Sequence, residues 1–377
     1  MKKLTAVLLA AALLILPAQA AGSAPTPQAA SAVLMEKETG TILYEHHSHD
    51  KLEPASVTKI MTLLLTMEAV DSGQLKLEDT VTVSARAASM GGSQVYLKEG
   101  EQMSVNDMLK AVAVASGNDA SVALAEHLAG SEEAFVERMN QRSAELGMND
   151  TCFVNCTGLP AAGHLTSAHD IALMSRELIL NHPDIRTYTT IWMDTLRDGQ
   201  FQLANTNKLI RFYEGATGLK TGFTSEAGYC MSATAERDGM ELIAVVLKSP
   251  TRDERNESAK SLLSFGFANY TLMDVYPNQA LPPIDVLLGE QSQVQPVLAQ
   301  SSRILVDKSQ VNQVTTQLRL CENVEAPVEQ GQKLGEMAVL VDGQEQQVIP
   351  IVADRAVDRL TVPGIFSRLL RTLFMGS

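Results

Sequence analysis

Along residues 31–47, "SAVLMEKETGTILYEHH", apolar positions alternate around a Thr39-Gly40 turn, which predicts a β-hairpin. The period then changes. From Val57 to about Ala69 apolar side chains recur as on a helix, and "LKLEDTVTVS" follows as a short extended stretch. In "MSVNDMLKAVAVAS" Ser104 stands as N-cap with Asp107 three residues on, close to a capping box, and the helix should end near Ser116-Gly117. "DASVALAEHLA" and "SEEAFVERMNQRSAELG" read as two more helices, the second capped by Ser131 and stopped by Gly147; another, "SAHDIALMSRELILNH", begins after Leu165. Strand-like segments between glycine turns return in "GATGLKTGFTSEAGYCMSATAERDGMELIAVVLKS", and "NESAKSLLSFGFANY" closes the unit as a helix near Tyr270. This order predicts an α/β unit over residues 31–275: an antiparallel sheet carrying helices, with a helical block inserted after the first hairpin.

The pattern shifts again beyond it. Pro277 to about Pro296 is rich in Pro and Gln without periodicity, which marks a boundary. "SRILVDKSQVNQVTTQLRL" and "GEMAVLVDGQEQQVIPIVA" are short β-prone runs with turn residues, so 276–352 is expected to be a small, sandwich-like all-β domain. It shows no catalytic arrangement, and a spacer or protein-contact role is expected. Residues 353–377 read as a linker and a helix: Pro363-Gly364 breaks the chain, then Ile365, Phe366, Leu369, Leu370, Leu373 and Phe374 recur with Arg368 and Arg371 between them. That pattern suits an amphipathic helix lying in an anionic membrane surface, and is too short to span one. The alternative is a helix packed back on its own protein.

The first 20 residues stand apart from the fold. Lys2 and Lys3, the apolar run "LTAVLLAAALLILP" and the small-x-small "AQA" ending at Ala20 have the form of a cleaved signal peptide. Residues 21–30, rich in Ala and Pro, read as a flexible lead-in. An exported protein is expected, at the outer face of the cytoplasmic membrane. The whole chain of 377 residues carries a formal charge of -14, and losing the two lysines makes it more acidic. Such a balance argues against nucleic acid as partner. The four cysteines form no dense disulfide framework; Cys152 and Cys156 are close enough to pair or equally to be free, and Cys230 is expected as a core thiol on a strand. The cluster of His46, His47 and His49 is not read as a metal site.

Candidate chemistry begins in "EPASVTKIMT". Three apart on a helix, Ser56 and Lys59 share a face and come within hydrogen-bond reach. A serine hydroxyl needs a base to become a nucleophile, and a lysine serves as one if burial and neighbouring cations lower its pKa. Alone, Ser-x-x-Lys is weak, equally a capping serine and a snorkelling lysine. Two tripeptides strengthen it. Ser116-Gly117-Asn118 lies at an inter-helix turn and offers a hydroxyl and an amide. Lys220-Thr221-Gly222 lies in a strand and offers a cation, a hydroxyl and a glycine beside which a substrate backbone fits. Helix, turn and strand motifs in this order form the three-part serine acyl-transfer signature.

The chain resembles the low-molecular-mass penicillin-binding proteins, the serine-type D-alanyl-D-alanine carboxypeptidases. The resemblance is carried by "EPASVTKIMT", "MGGSQVYLKEGE", "ASGNDA", "GLKTGFTSEAG" and "PTRDERNESAKSLLSFGF", and covers nearly the whole chain. It implies the penicillin-binding, β-lactamase-like transpeptidase fold, an antiparallel sheet with helices and a helical subdomain, followed by the β-domain and terminal helix. The implied substrate is a peptidoglycan stem pentapeptide ending in D-Ala-D-Ala, with β-lactams as covalent inhibitors and no cofactor or metal. Ser56 is then the nucleophile and Lys59 its base; Ser116 passes the proton to the leaving amine, and Asn118 holds the acyl-side amide. Lys220 makes the site positive, Thr221 binds the terminal carboxylate with support from Arg255, and Gly222 lets substrate approach. The oxyanion is expected between the backbone N–H groups of Ser56 and Phe223.

A β-lactamase shares the three motifs, but class A enzymes deacylate with a glutamate between the second and third. The corresponding stretch here, "NDTCFVNCTGLPAAGHLTS", has none, and Glu145 reads as solvated surface. A D,D-endopeptidase on the same fold is a rival reading, and so is a catalytically inert binding protein. Inertness conflicts with the presence of nucleophile, base and cation together.

Overall fold

The computed structural model describes residues 24–299 and 302–366. Its centre is a five-stranded antiparallel sheet built from β1 (Ser31–Glu36), β2 (Ile42–His46), β3 (Ala216–Thr224), β4 (Gly228–Arg237) and β5 (Met240–Ser249), in the order β2-β1-β5-β4-β3. The first hairpin therefore joins the strands from the far end of the unit through β1 and β5. Both faces of the sheet are covered, which is why β1 is buried at every position. Val33 and Met35, with Ile243, Val245 and Leu247, face the larger helical layer; Ala32, Leu34, Leu242, Ala244 and Val246 face the other side. The two-residue period of the strand divides its side chains between two cores.

The larger layer holds α1 (Lys59–Asp71), α2 (Val105–Ala113), α3 (Asn118–Ala129), α4 (Glu132–Glu145) and α5 (Ala168–Asn181). The expected caps are in place: Ser104 accepts from the Asp107 N–H and Ser131 from that of Ala134. The other face is covered by α6 (Arg252–Asn269), through Ala259, Leu262, Leu263 and Phe267. A hairpin over Met193–Leu196 and Phe201–Ala204 lies in a stretch for which the sequence pattern predicts no element.

Tyr270–Asp274 leaves α6 and pairs with Arg303–Asp307, tying the catalytic-side unit to the β-rich remainder. There, a four-stranded antiparallel sheet runs in the order Pro296–Leu298, Gln344–Ala353, Lys333–Val341, Val314–Leu320. A three-stranded sheet is centred on Ile284–Leu287. The stretch 277–296 is thus not a structureless boundary: two strands of the second unit lie in it, with Ile284, Val286 and Val294 buried. Val357 is buried too, so the first residues of the expected 353–377 linker pack on this unit. Residues 362–366 are helical; the rest of the expected amphipathic helix, like the signal-peptide segment, lies outside the described residues. No helix among the described residues is long and apolar enough to cross a membrane.

Candidate active site

Ser56 does not sit on an α-helix. It lies in a 3-10 turn, Ala55–Thr58, and Lys59 is the first residue of α1. In a 3-10 turn residues three apart eclipse, which brings the two side chains together more directly than an α-helical turn does. Lys59 Nζ is 3.0 Å from Ser56 Oγ. The turn is held from behind by a close approach: a Cβ on Gly158 would lie 1.8 Å from the Ala55 carbonyl oxygen, so only glycine fits there.

Lys59 is wholly buried. Besides Ser56 its nitrogen meets Asn118 Oδ1 at 2.6 Å and the Thr157 carbonyl at 2.7 Å. The Asn118 amide orientation is fixed independently, because its Nδ2 donates to the Gly91 carbonyl at 2.7 Å. Both partners are acceptors only. A neutral lysine has two N–H bonds, and these two oxygens take both, leaving the lone pair for the serine hydroxyl. Burial pulls the Lys59 pKa down to about 7, against the opposing pull of Cys156 and Asp119. Of the two expected causes, burial alone lowers Lys59; neighbouring cations act on Lys220 instead, which burial, then Lys59 and Arg255, push down.

Beside the nucleophile opens a cleft of about 610 Å3, lined by Ser56, Ser93, Ser116, Trp192, Thr206, Thr221, Gly222, Phe223 and Arg255, among others. Ser116 comes to it at φ +63°, in the turn between α2 and α3, with its buried hydroxyl lacking a partner among the described residues. Such an unpaired hydroxyl is costly unless a ligand or the reaction uses it. Asn118 opens α3.

The edge strand β3 forms the opposite wall. A Cβ on Gly222 would lie 2.9 Å from both the Pro54 carbonyl oxygen and the Ser56 nitrogen, so glycine is required for strand and nucleophile turn to touch. Thr221 Oγ1 donates to Thr206 Oγ1 at 2.8 Å. Lys220 is buried behind the cleft, its Nζ donating to the Thr221 carbonyl at 2.9 Å. Phe223 is exposed and stacks on Tyr229, with centroids 4.3 Å apart. Arg255, at the start of α6, is buried, bonded to Asn256 Oδ1 and without an ion pair among the described residues. Burial, then Arg252, lowers its pKa to about 10, so it stays cationic at neutral pH.

Every residue expected at the site is therefore in or against one cleft, with Lys59 bonded to both Ser56 and Asn118. The sequence gives no sign of three further participants. The Thr157 carbonyl is backbone and leaves no residue signature. Thr206 becomes a neighbour of Thr221 only through folding. His164 supports the turn through Thr58 at 2.8 Å, while its Nδ1 accepts the Val154 N–H; burial lowers its pKa to about 4, which keeps it neutral.

Elsewhere the cysteines are free, with Cys230 buried on β4 as expected, Cys156 buried and Cys152 exposed. Among the described residues one group, Glu68, Glu177 and His182, has metal-like spacing, but Arg142 already bridges its two carboxylates. Glu145 is half exposed and tied to the same arginine, away from the cleft lining.

The family model described as D-alanyl-D-alanine carboxypeptidase matches residues 18–251. One described as penicillin-binding protein 5, C-terminal domain, matches residues 272–359. The chain is 43% identical over 351 residues to D-alanyl-D-alanine carboxypeptidase DacF of Bacillus subtilis, covering 92% of this chain and 89% of that protein. The structure of penicillin-binding protein 5 from Haemophilus influenzae matches with a TM-score of 0.80 at 30% identity, over 90% of this chain and 100% of that one. Penicillin-binding protein D2 from Listeria monocytogenes, in its ampicillin-bound form, matches with a TM-score of 0.59 at 33% identity, over 64% of this chain and 98% of that one. The chain belongs to the D-alanyl-D-alanine carboxypeptidase family and is a serine-type hydrolase of the penicillin-binding fold.

Proposed function

We propose that Ser56 and Lys59 carry out a two-step acyl transfer that removes the terminal D-alanine from peptidoglycan stem pentapeptides. Neutral Lys59 takes the Ser56 proton as Oγ bonds to the carbonyl carbon between the two D-alanines. The backbone N–H groups of Ser56 and Phe223 receive the oxyanion. As the C–N bond breaks, the proton returns through Ser116 to the leaving amine, so free D-alanine departs and an ester remains on Ser56. Water then hydrolyses the ester, with Lys59 again the base. Thr221, Arg255 and Lys220 bind the terminal carboxylate, whose negative charge raises the Lys220 pKa on arrival. Asn118 positions Lys59 and the acyl-side amide.

The observation that carries this reading is the buried amine of Lys59, 3.0 Å from Ser56 Oγ with its two N–H bonds already engaged. Release of D-alanine from a muramyl pentapeptide, present in the native chain and absent in Ser56→Ala, tests it; release surviving in that variant refutes it. β-Lactams, which carry a strained amide and a carboxylate, are proposed to acylate the same serine, as the ampicillin-bound Listeria relative suggests. The enzyme is proposed to act outside the cytoplasm, held at the membrane surface by the apolar and basic residues after Gly364. Deleting residues 364–377 and fractionating cells tests the anchor, and an unchanged membrane-bound fraction would sink it.

A further inference from the structure

The strand Ile284–Leu287 alternates, turning Ile284 and Val286 inward and Asp285 and Leu287 outward. Leu288 follows at φ +57°, a left-handed backbone that suits glycine or asparagine and strains a leucine. The loop is pinned there to the segment that leaves the β-rich unit. The Leu288 carbonyl accepts the Leu360 N–H at 2.7 Å, and the Glu290 N–H donates to the Asp358 carbonyl at 2.8 Å. Just beyond this crossing lies the helical turn 362–366. Leu287 and Leu288 are 48% and 54% exposed, and Val362, Ile365 and Phe366 are exposed as well. Apolar surface gathered in this way marks a contact with a partner or a membrane.

Its position points to a membrane. In the sequence Ile365 and Phe366 begin the apolar stripe that Leu369, Leu370, Leu373 and Phe374 continue. Both are exposed, so the stripe starts facing solvent and not the β-rich unit. A helix lying in a bilayer surface sinks its apolar face about 5–10 Å into the boundary between headgroups and acyl chains. A loop bonded to Leu360, two residues before that helix begins, is brought to the same level. The charged rim is of mixed sign: Asp285, Glu290, Asp358 and Arg355 are exposed, and Arg359 pairs with Glu325 at 3.0 Å. The loop thus adds apolar contact without net positive charge. We propose that Leu287 and Leu288 form a second membrane foot, inserted among phospholipid headgroups beside the segment after Gly364. One helix joined through Pro363-Gly364 leaves the enzyme free to swivel, and a second contact fixes its orientation to the bilayer.

This rests on the surface-anchor reading above, and the test separates the two. Binding of the protein purified from cells is measured on vesicles of equimolar phosphatidylcholine and phosphatidylglycerol. Leu287→Ser/Leu288→Asn, in which asparagine accepts the left-handed backbone, should weaken binding by about tenfold, the scale of burying half of two leucine side chains. Its release of D-alanine from a soluble peptide should stay native, which reports an intact fold. In Leu288→Trp, vesicles should shift the added emission to the blue, and brominated acyl chains should quench it. Native binding by the double variant, with binding lost on deletion of 364–377, overturns the foot and leaves the anchor. Native binding by both variants overturns both. Emission already blue in buffer and insensitive to vesicles means that the protein itself covers the patch. A dimer formed by the native chain and lost in the double variant, with vesicle binding equal in the two, means that a second copy covers it. Either result overturns the proposal.

Discussion

Lys59 Nζ stands 3.0 Å from Ser56 Oγ, with its other two contacts made to oxygens that can only accept. The reaction needs the neutral amine, which burial favours, since an ammonium would direct its third N–H at the serine oxygen and leave no lone pair for the proton. With a pKa of about 7, the working form is the minority below neutrality and the majority above it. Acylation by a labelled penicillin should therefore rise with pH through about 7 and fall about tenfold per unit well below it. Lys59→Arg, which stays charged, should lose on the order of 10²–10⁴ in acylation rate. A flat profile from pH 5 to 9, or an active arginine variant, would remove Lys59 from the role of base.

The contact between Gly222 and the nucleophile turn supports a second prediction. A methyl group there would press on two backbone atoms, the Pro54 carbonyl oxygen and the Ser56 nitrogen, neither of which can rotate away. Gly222→Ala should cost about 1–3 kcal/mol, as overpacking does. It should also push β3 off Ser56, lowering acylation by about a hundredfold. Thermal unfolding and penicillin labelling measure the two effects. An alanine variant with native acylation would show that the strand does not set the position of the serine.

These two relationships also show what could be read from the chain beforehand. Ser56, Lys59, Asn118 and Gly222 announce themselves through residue type and spacing, because their chemistry depends on side chains or on the lack of one. The hairpin 31–46 and the capped helices were legible for the same reason: period and caps are local. The Thr157 carbonyl was not, being a backbone group brought in by a loop nearly a hundred residues away. Nor was the joining of β1 to β5, a pairing of strands at opposite ends of the unit. Strand Ile284–Leu287 was hidden by the prolines and glutamines around it, since its burial comes from partners across the sheet rather than from its own pattern.

Arg255 is a buried cation without an ion pair among the described residues, a costly arrangement that the proposed carboxylate-ended substrate would relieve. Arg255→Ala should raise KM for peptides ending in free D-alanine and lower kcat/KM by roughly 10–100-fold, the value of a charge-assisted hydrogen bond. The same peptide ending in an amide should lose little. If both peptides suffer equally, Arg255 holds the start of α6 in place and does not read the substrate.

The fate of penicillin follows from what surrounds the ester it forms. Among the described residues, no aspartate or glutamate lines the cleft that contains Ser56. His164 is no substitute as a base, because its Nδ1 is taken by the Val154 N–H and its Nε2 by Thr58. Lys59 is then the one base in contact with Ser56 among the described residues, and the peptide reaction frees its approach because D-alanine leaves. A β-lactam does not leave: its ring nitrogen stays tethered to the acyl group and keeps the place the water needs. Penicillin should therefore remain bound in a one-to-one adduct through gel filtration, with the intact mass of the protein shifted by one drug molecule. Substitution of Ser56 by alanine should abolish the shift. Turnover at about 1 per second or faster, the low end of ordinary enzymes, would mean that another group activates water at this site.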